Sequence, residues 1–300
     1  MPHAEPPWEW YRSFLQVLES GSLSAAARAL GLTQPTLGRH IGGLEAALGL
    51  GLFTRSPEGL APTDAALALQ PYARDIAATA AALRRAASGH GDGVHGTVRI
   101  TASEIVGVEV LPPILARLRA AHPQLAIELA LSNQPDDLLR READIALRMF
   151  MPTQGALIAR KVGTIELGLH AHADYLARHG TPASLKALAH HALIGYDRET
   201  AYIRRMGGKL QGLGRSHFSL RADSDLAQLA AIRAGCGLGI CQVPLAARDA
   251  RLVRVLGRQL SLPLDTWVVM HENLRSSPRC AAVFDALVAG LSAYIGPAPG

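Results

Sequence analysis

What this chain lacks narrows its function before any motif is read. It has three cysteines in 300 residues, all beyond residue 235. That is no disulfide framework and fits a reducing cytoplasm. No apolar run reaches the ~18–20 residues that a membrane span requires. The start, MPHAEPPWEWYRS, has neither the basic end nor the apolar core of a signal peptide. A cytoplasmic protein with no membrane partner is the expectation. Lysine is missing from residues 1–95, where seven arginines face eight acids for a net −1; the rest of the chain carries +6, giving +5 overall. Bulk charge therefore supplies no argument for nucleic acid at the N-terminal end.

Metal and catalytic spacings are scarce as well. His170-Ala-His172 and His190-His191 have no clustered carboxylate or cysteine beside them, so neither a metal nor another cofactor is expected. Cys236 and Cys241 are separated by four residues rather than two, a weak spacing for a redox pair. Gly235-Cys-Gly-Leu-Gly239 precedes an expected strand instead of following one, unlike a nucleotide loop. No nucleophile–base pair emerges, and the chain is read as a non-enzyme.

What is present is organised around Gly21 to Gly49. The stretch reads as two helices joined by a tight turn. In the second, Leu37, Ile41, Leu44 and Leu48 recur at steps of four, three and four, a stripe about 60° wide. Thr36, Arg39 and Gly43 fall on the opposite face, short and singly basic, as a helix entering the DNA major groove requires. Ser22 and Ser24 are N-cap candidates for the first helix, and Thr33 for the second. Pro35 sits in the first turn, where a missing N–H is tolerated. Gly31 suits the left-handed turn. Leu52–Arg55 and Leu60–Pro62 then pair as short strands around Ser56-Pro57-Glu58-Gly59. A helix pair followed at once by a hairpin is a winged helix-turn-helix.

The block Phe14…Ser22-Leu23-Ser24-Ala25-Ala26-Ala27…Leu30…Gln34-Pro35-Thr36-Leu37…Leu44-Glu45…Leu48-Gly49…Leu52-Phe53-Thr54-Arg55…Leu60-Ala61-Pro62-Thr63 resembles the LysR-type bacterial transcriptional regulators, in order and without gaps over about fifty residues. By length and pattern the remainder is similar to that family's effector domain. The resemblance implies a winged head that binds promoter DNA through Thr33, Gln34, Pro35, Thr36, Arg39, His40 and Arg55, with Thr36 and Arg39 reading base edges. Glu58 departs from the family pattern, since these proteins often carry a basic residue at the wing tip. Minor-groove contact then falls to Arg55 and the backbone.

Thr63 to about Ser88 reads as one long helix, kinked near Pro71. Leu69, Ile76 and Leu83 recur by seven, with Ala73, Ala80 and Ala87 each four further on, the seam of a helix that pairs with a second copy. The resemblance makes it the dimerisation linker, implies that two dimers form a tetramer, and makes RNA polymerase a candidate partner. Gly89 to Gly96 holds four glycines in eight residues, a hinge. Beyond it strands and helices alternate: strands at 98–101, 125–131 and 144–148, a helix at about 103–121 and another at Pro135–Arg141, further strands near 165–170, 193–196, 218–221 and 238–243, and a closing strand at 265–271 and helix at 279–294. Such alternation implies an α/β fold with a parallel sheet and ligands at the strands' carboxyl ends.

The expected organisation is a winged head (1–62), linker helix (63–88), hinge (89–96) and effector domain (97–300). The resemblance implies that this last domain has two subdomains, 97–163 with 268–300 and 164–267, like periplasmic binding proteins. Strand-end placement brings Thr101, Ser103, Ser132, Asn133, Arg148, Tyr196 and Ser224 to one crevice. Arg148 there can grip a carboxylate in two places, so a small organic anion is the expected effector. Met149, Phe150 and Met151 could line an apolar wall, although core packing suits them better. Redox sensing through Cys236 and Cys241 is an alternative for the effector step. A solute-binding protein or an enzyme on the same two-lobed fold is the alternative class.

Overall fold

The computed structural model describes residues 5–56, 59–88, 93–133, 143–149, 151, 157–198 and 214–296. The expected helix at 135–141, the wing tip at Pro57 and Glu58, Phe150 and the first half of the glycine-rich stretch lie outside the described residues. Those described form two compact units, one through Ala87 and one from Ser88 onward.

The first unit is built from α1 (Trp8–Ser20), α2 (Leu23–Leu30), α3 (Gln34–Leu48), β1 (Phe53–Ser56), β2 (Gly59–Pro62) and α4 (Asp64–Ser88). The caps fall where short polar residues precede apolar runs: Ser22 accepts from the Ala25 amide, and Thr33 from the Thr36 amide at 3.3 Å. Ser24 is not a cap; its hydroxyl donates to Gln34 Oε1 at 3.0 Å. Gly31 closes α2 at φ 68°, a left-handed turn open to glycine at little cost. Phe14, Val17, Ala26, Ala27, Leu37, Ile41, Leu44 and Leu52 form the core.

Three expectations about exposed faces change. Leu48 is 36% exposed in the last turn of α3, beyond the edge of this core. Gly43 does not face solvent, because a Cβ there would lie 2.6 Å from the Trp10 ring. The wheel angle of α3 was right, but α1 covers that flank. On α4 the heptad seam divides: Ala73 is buried in the head's own core with Leu69 packed against it, whereas Ile76 is 40% and Leu83 70% exposed. Pro71 lies within the helix, which is continuous from Asp64 to Ser88.

The second unit contains β3 (Gly96–Ala102), α5 (Glu104–Glu109), α6 (Leu111–Ala121), β4 (Leu125–Leu131), β5 (Ile145–Arg148), β6 (Leu157–His172), α7 (Ala173–His179), β7 (Ile194–Gly195), β8 (Leu220–Arg221), α8 (Asp225–Arg233), β9 (Gly239–Gln242), α9 (Val243–Ala246), β10 (Leu252–Val255), β11 (Leu262–His271) and α10 (Pro278–Ile295). The single helix expected before Ala121 is split at Val110, because Pro112 and Pro113 open a new first turn without donors. The main sheet runs β10-β6-β11-β5-β3-β4, with β9 also on β6. It is mixed rather than parallel. β3 is parallel to β4 and β5, but β11 is antiparallel to both β5 and β6, and β6 is antiparallel to β9 and β10. The reason is that β6 and β11 are long strands travelling in opposite senses, each running across one of the expected subdomain boundaries, 163/164 and 267/268.

The hydrophobic cores change over along those two strands. One lobe packs Val98, Ile100, Leu111, Ile114, Val162 and Val268 against Val283, Phe284 and Leu287 of α10. The other packs Ile165, Leu167, Leu169 and Leu262 with Tyr175 and Leu188. By length and composition α10 could cross a membrane, but its buried side chains make it a core helix of the first lobe.

Candidate nucleic-acid interface and ligand cleft

On the head, Thr33, Gln34, Pro35, Arg39 and Arg55 are exposed, and Thr36 and His40 are half-buried. Most polar side chains here already have local partners. The Thr33 and Thr36 hydroxyls lie 2.9 Å apart, and Gln34 is tied to Ser24. His40 Nδ1 lies 2.8 Å from the hydroxyl of buried Ser13 on α1, so this ring braces α3 from behind. Arg39 and Arg55 have no carboxylate partner among the described residues. They are two free cations on one small unit. Glu45, an acid on the supposedly DNA-reading helix, serves the wing: its Oε1 accepts from the Leu52 amide at 2.7 Å and the Phe53 amide at 3.3 Å.

In the second unit, three of the expected cleft residues meet. Asn133 accepts from the Glu104 amide at 3.1 Å and donates to Asp225 Oδ2 at 3.3 Å. The Tyr196 hydroxyl donates to Asp225 Oδ1. Ser224 caps α8 and donates to Glu104 Oε2 at 3.2 Å. Glu104 and Asp225, one residue beyond the picked Ser103 and Ser224, were missed by sequence reasoning. Burial and then the charge of Glu104 push the Asp225 carboxyl up, against the lowering effect of Tyr196. A second bridge joins α5 to α8: Arg233 donates to both oxygens of Glu109, at 2.6 and 2.9 Å. Arg248 donates to the Glu109 carbonyl at 2.8 Å and stacks over Tyr294.

Arg148 stands apart from that network. It is 5% exposed and donates through Nη1 to the carbonyl of Leu147 at 2.7 Å, while Nη2 has no partner. Burial alone pulls its pKa down to about 9, so it remains a cation at neutral pH. Two more orphaned buried atoms accompany it. Trp267 is its register partner across β5 and β11, and its Nε1 is unpartnered. Thr101, 6% exposed, pairs with Ala146, so Ser103 and Arg148, each two residues further on, end neighbouring strands. Ser103 sits at the cap position of α5 but makes no cap bond, and its Oγ is also unpartnered. A leftover guanidinium, indole N–H and hydroxyl suit an oxyanion. Trp267 carried no signal in the sequence beyond its place in an apolar strand.

The remaining candidates lie outside both groups. Ser132 follows β4, and its amide bonds to the Ala102 carbonyl. Met149 packs against both lobe cores and Met151 is exposed. Cys236 is exposed and Cys241 buried, and both are free thiols. Burial drives the Cys241 thiol up to about 12, which works against the thiolate that redox chemistry requires. His172 caps α7 and His170 bonds the Gly168 carbonyl.

Together the two units are a winged helix-turn-helix and a two-lobed α/β domain with a polar cleft. Residues 8–67 match the family model for bacterial regulatory helix-turn-helix proteins of the lysR family, and residues 91–292 match the LysR substrate binding domain. The chain belongs to the LysR family. It is 31% identical over 181 residues to an HTH-type transcriptional regulator of Xanthomonas campestris pv. campestris, covering 60% of this chain and 53% of that protein. The chain thus spans about half the length of that relative. It is 26% identical over 285 residues to the probable HTH-type transcriptional regulator LtrA of Klebsiella pneumoniae, 91% of each chain. The solved structure of CrgA from Neisseria meningitidis superposes with a TM-score of 0.57 at 26% identity, over 94% of this chain and 98% of that one.

Proposed function

We propose that this chain is a DNA-binding transcription regulator whose promoter binding is set by a small organic anion, a carboxylate, held in the cleft of the two-lobed domain. The observation that carries the effector reading is Arg148, a buried cation with one unpartnered nitrogen; its register partner Trp267 and Ser103, just past the end of the neighbouring β3, also carry unpartnered buried atoms. An uncompensated buried charge costs several kcal/mol, and a bound carboxylate offsets that cost. Asn133, Tyr196 and Ser224, from both lobes, would carry ligand occupancy into lobe position. On the head, α3 enters the major groove with Arg39 and Thr36 at base edges, Arg39 matched to guanine, and Arg55 reaches phosphate from the wing. Two copies pair along the exposed half of the α4 seam, Ile76 and Leu83, with Ala80 and Ala87 allowing close approach. Two such dimers then form the tetramer. RNA polymerase would be engaged at the promoter.

The test is a thermal-shift screen of the full chain against small carboxylates, with Arg148→Ala run in parallel. A carboxylate that raises the melting temperature of the parent and leaves the variant unmoved supports the reading. A hit that survives the substitution sinks it. For the head, Arg39→Ala combined with Thr36→Ala is expected to weaken operator binding about ten- to a hundred-fold; an unchanged footprint removes α3 as the reading element.

A further inference from the structure

Away from the cleft, the second lobe carries a cavity of about 410 Å³ lined by Leu185, Lys186, Leu188, Ala189, His191, Leu193, Ser216, His217 and Ser219. This size falls within the ordinary range for small-molecule sites, roughly 300–1,000 Å³. Its floor is aliphatic, with Leu188 and Leu193 buried in the lobe core. One wall is the short 3-10 helix Leu185–His190, the other the turn Arg215–His217 and Ser219. Pairing of β7 with β8 holds the walls in place, with the Ser219 amide on the Leu193 carbonyl at 2.8 Å. Phe218 braces the second wall by packing on Gly195, where a Cβ would lie 2.5 Å from its ring.

The polar lining is made of donors. The Tyr175 hydroxyl accepts from the Ala192 amide at 2.9 Å and lies 3.4 Å from His191 Nδ1. The Tyr175 oxygen has both a hydrogen and a second lone pair to offer Nδ1, so either ring nitrogen of His191 can carry the proton. Burial, then His179 and His190, hold His191 below the ordinary histidine range, which favours the neutral ring. His217 Nδ1 lies 3.1 Å from the Gly214 amide and 3.3 Å from the Gly214 carbonyl, so the backbone holds this second ring in place. Lys186, Ser216 and Ser219 add an ammonium and two hydroxyls, and Lys186 has no ion-pair partner among the described residues. Among the described residues no carboxylate lines the cavity. The nearby Asp197 is already neutralised by Arg215 at 2.8 Å.

We propose that this cavity is a second ligand site, taking the phosphoryl group of a small phosphomonoester, with the ligand's body resting on Leu185, Leu188 and Leu193. Tetrahedral oxyanions accept from several directions at once, which suits an ammonium and two hydroxyls flanked by two imidazoles. The site is independent of Arg148, so the chain can report on two small molecules.

The experiment is a titration of the full chain with inorganic phosphate and with glycerol 3-phosphate, followed by 31P NMR. Saturable binding is expected, tighter for the ester than for the bare ion. Lys186→Ala and Ser219→Ala, both exposed positions, should each weaken it at least five-fold, and Arg148→Ala should leave it unchanged. Absence of saturable binding overturns the proposal. So does binding indifferent to Lys186→Ala and Ser219→Ala, or binding abolished by Arg148→Ala, which would locate the anion in the cleft.

Discussion

The head and the two-lobed unit treat polar side chains in opposite ways. On the head, Thr33, Thr36, Gln34, His40 and Glu45 are all spoken for within the unit, and Arg39 and Arg55, without a carboxylate partner among the described residues, are in water, where they cost nothing. In the lobed unit, Ser103, Arg148 and Trp267 keep buried polar atoms without partners. A surface that meets a large, highly charged partner can be rigid and complete beforehand. A site that meets a small molecule must leave groups unsatisfied, so that the ligand has something to gain. The first arrangement favours stability and the second exchanges stability for responsiveness.

That contrast can be broken by substitution. The largest effect is expected from Arg148→Met, which removes an unpaired buried charge while keeping its bulk: unfolding free energy should rise by about 3 kcal/mol in chemical denaturation, with carboxylate response lost. A fall in stability would mean that Arg148 is structural and the contrast false. Glu45→Ala should act in the opposite sense, destabilising the head by about 2 kcal/mol, because it strands the Leu52 and Phe53 amides; unchanged melting of the head would show that water replaces the carboxylate. Gly43→Ala should cost about 1–2 kcal/mol by forcing the Trp10 ring aside, read as a lowered melting temperature with altered tryptophan fluorescence.

The smallest effect concerns Asp225. Its carboxyl titrates above the ordinary aspartate value in the folded chain, so the folded state holds more protons than the unfolded state in the window between those values. Stability from this group therefore falls as pH rises through the folded value and is regained as pH drops towards 4. Asp225→Asn should be slightly more stable than the parent near pH 7, with the difference shrinking towards pH 4. A difference that grows on acidification would reverse the assignment.

Much of the head was legible because its signals are local. A cap, a 3.6-residue period and a turn glycine each depend on neighbours within four positions, and Ser22, Thr33 and Gly31 sit as those rules require. The misreading of Gly43 and the unforeseen Ser13 contact of His40 both concern α1, which no wheel of α3 contains. Likewise the seven-residue spacing of Leu69, Ile76 and Leu83 was sound, but which half the head covers is a tertiary fact. In the lobed unit, strand ends located Asn133, Tyr196 and Ser224 correctly relative to one another. Strand direction was not legible, because β6 and β11 are paired over ten residues by contacts about a hundred positions apart in sequence. The isolation of Arg148 was hidden for the same reason: burial depends on Trp267 and the sheet around it.

Those two strands have a mechanical consequence. The lobes are joined by an antiparallel ribbon that runs through both, with a register shift between Thr266 and Trp267 that skips Val162 on the facing strand. A hydrogen-bonded ribbon resists stretching and shear but yields in torsion, and a bulge concentrates twist where it falls. The lobes are thus geared like two plates on a torsion bar. Any twist between the lobes would concentrate at that irregularity, and it would load the Glu109–Arg233 ion pair that ties α5 to α8.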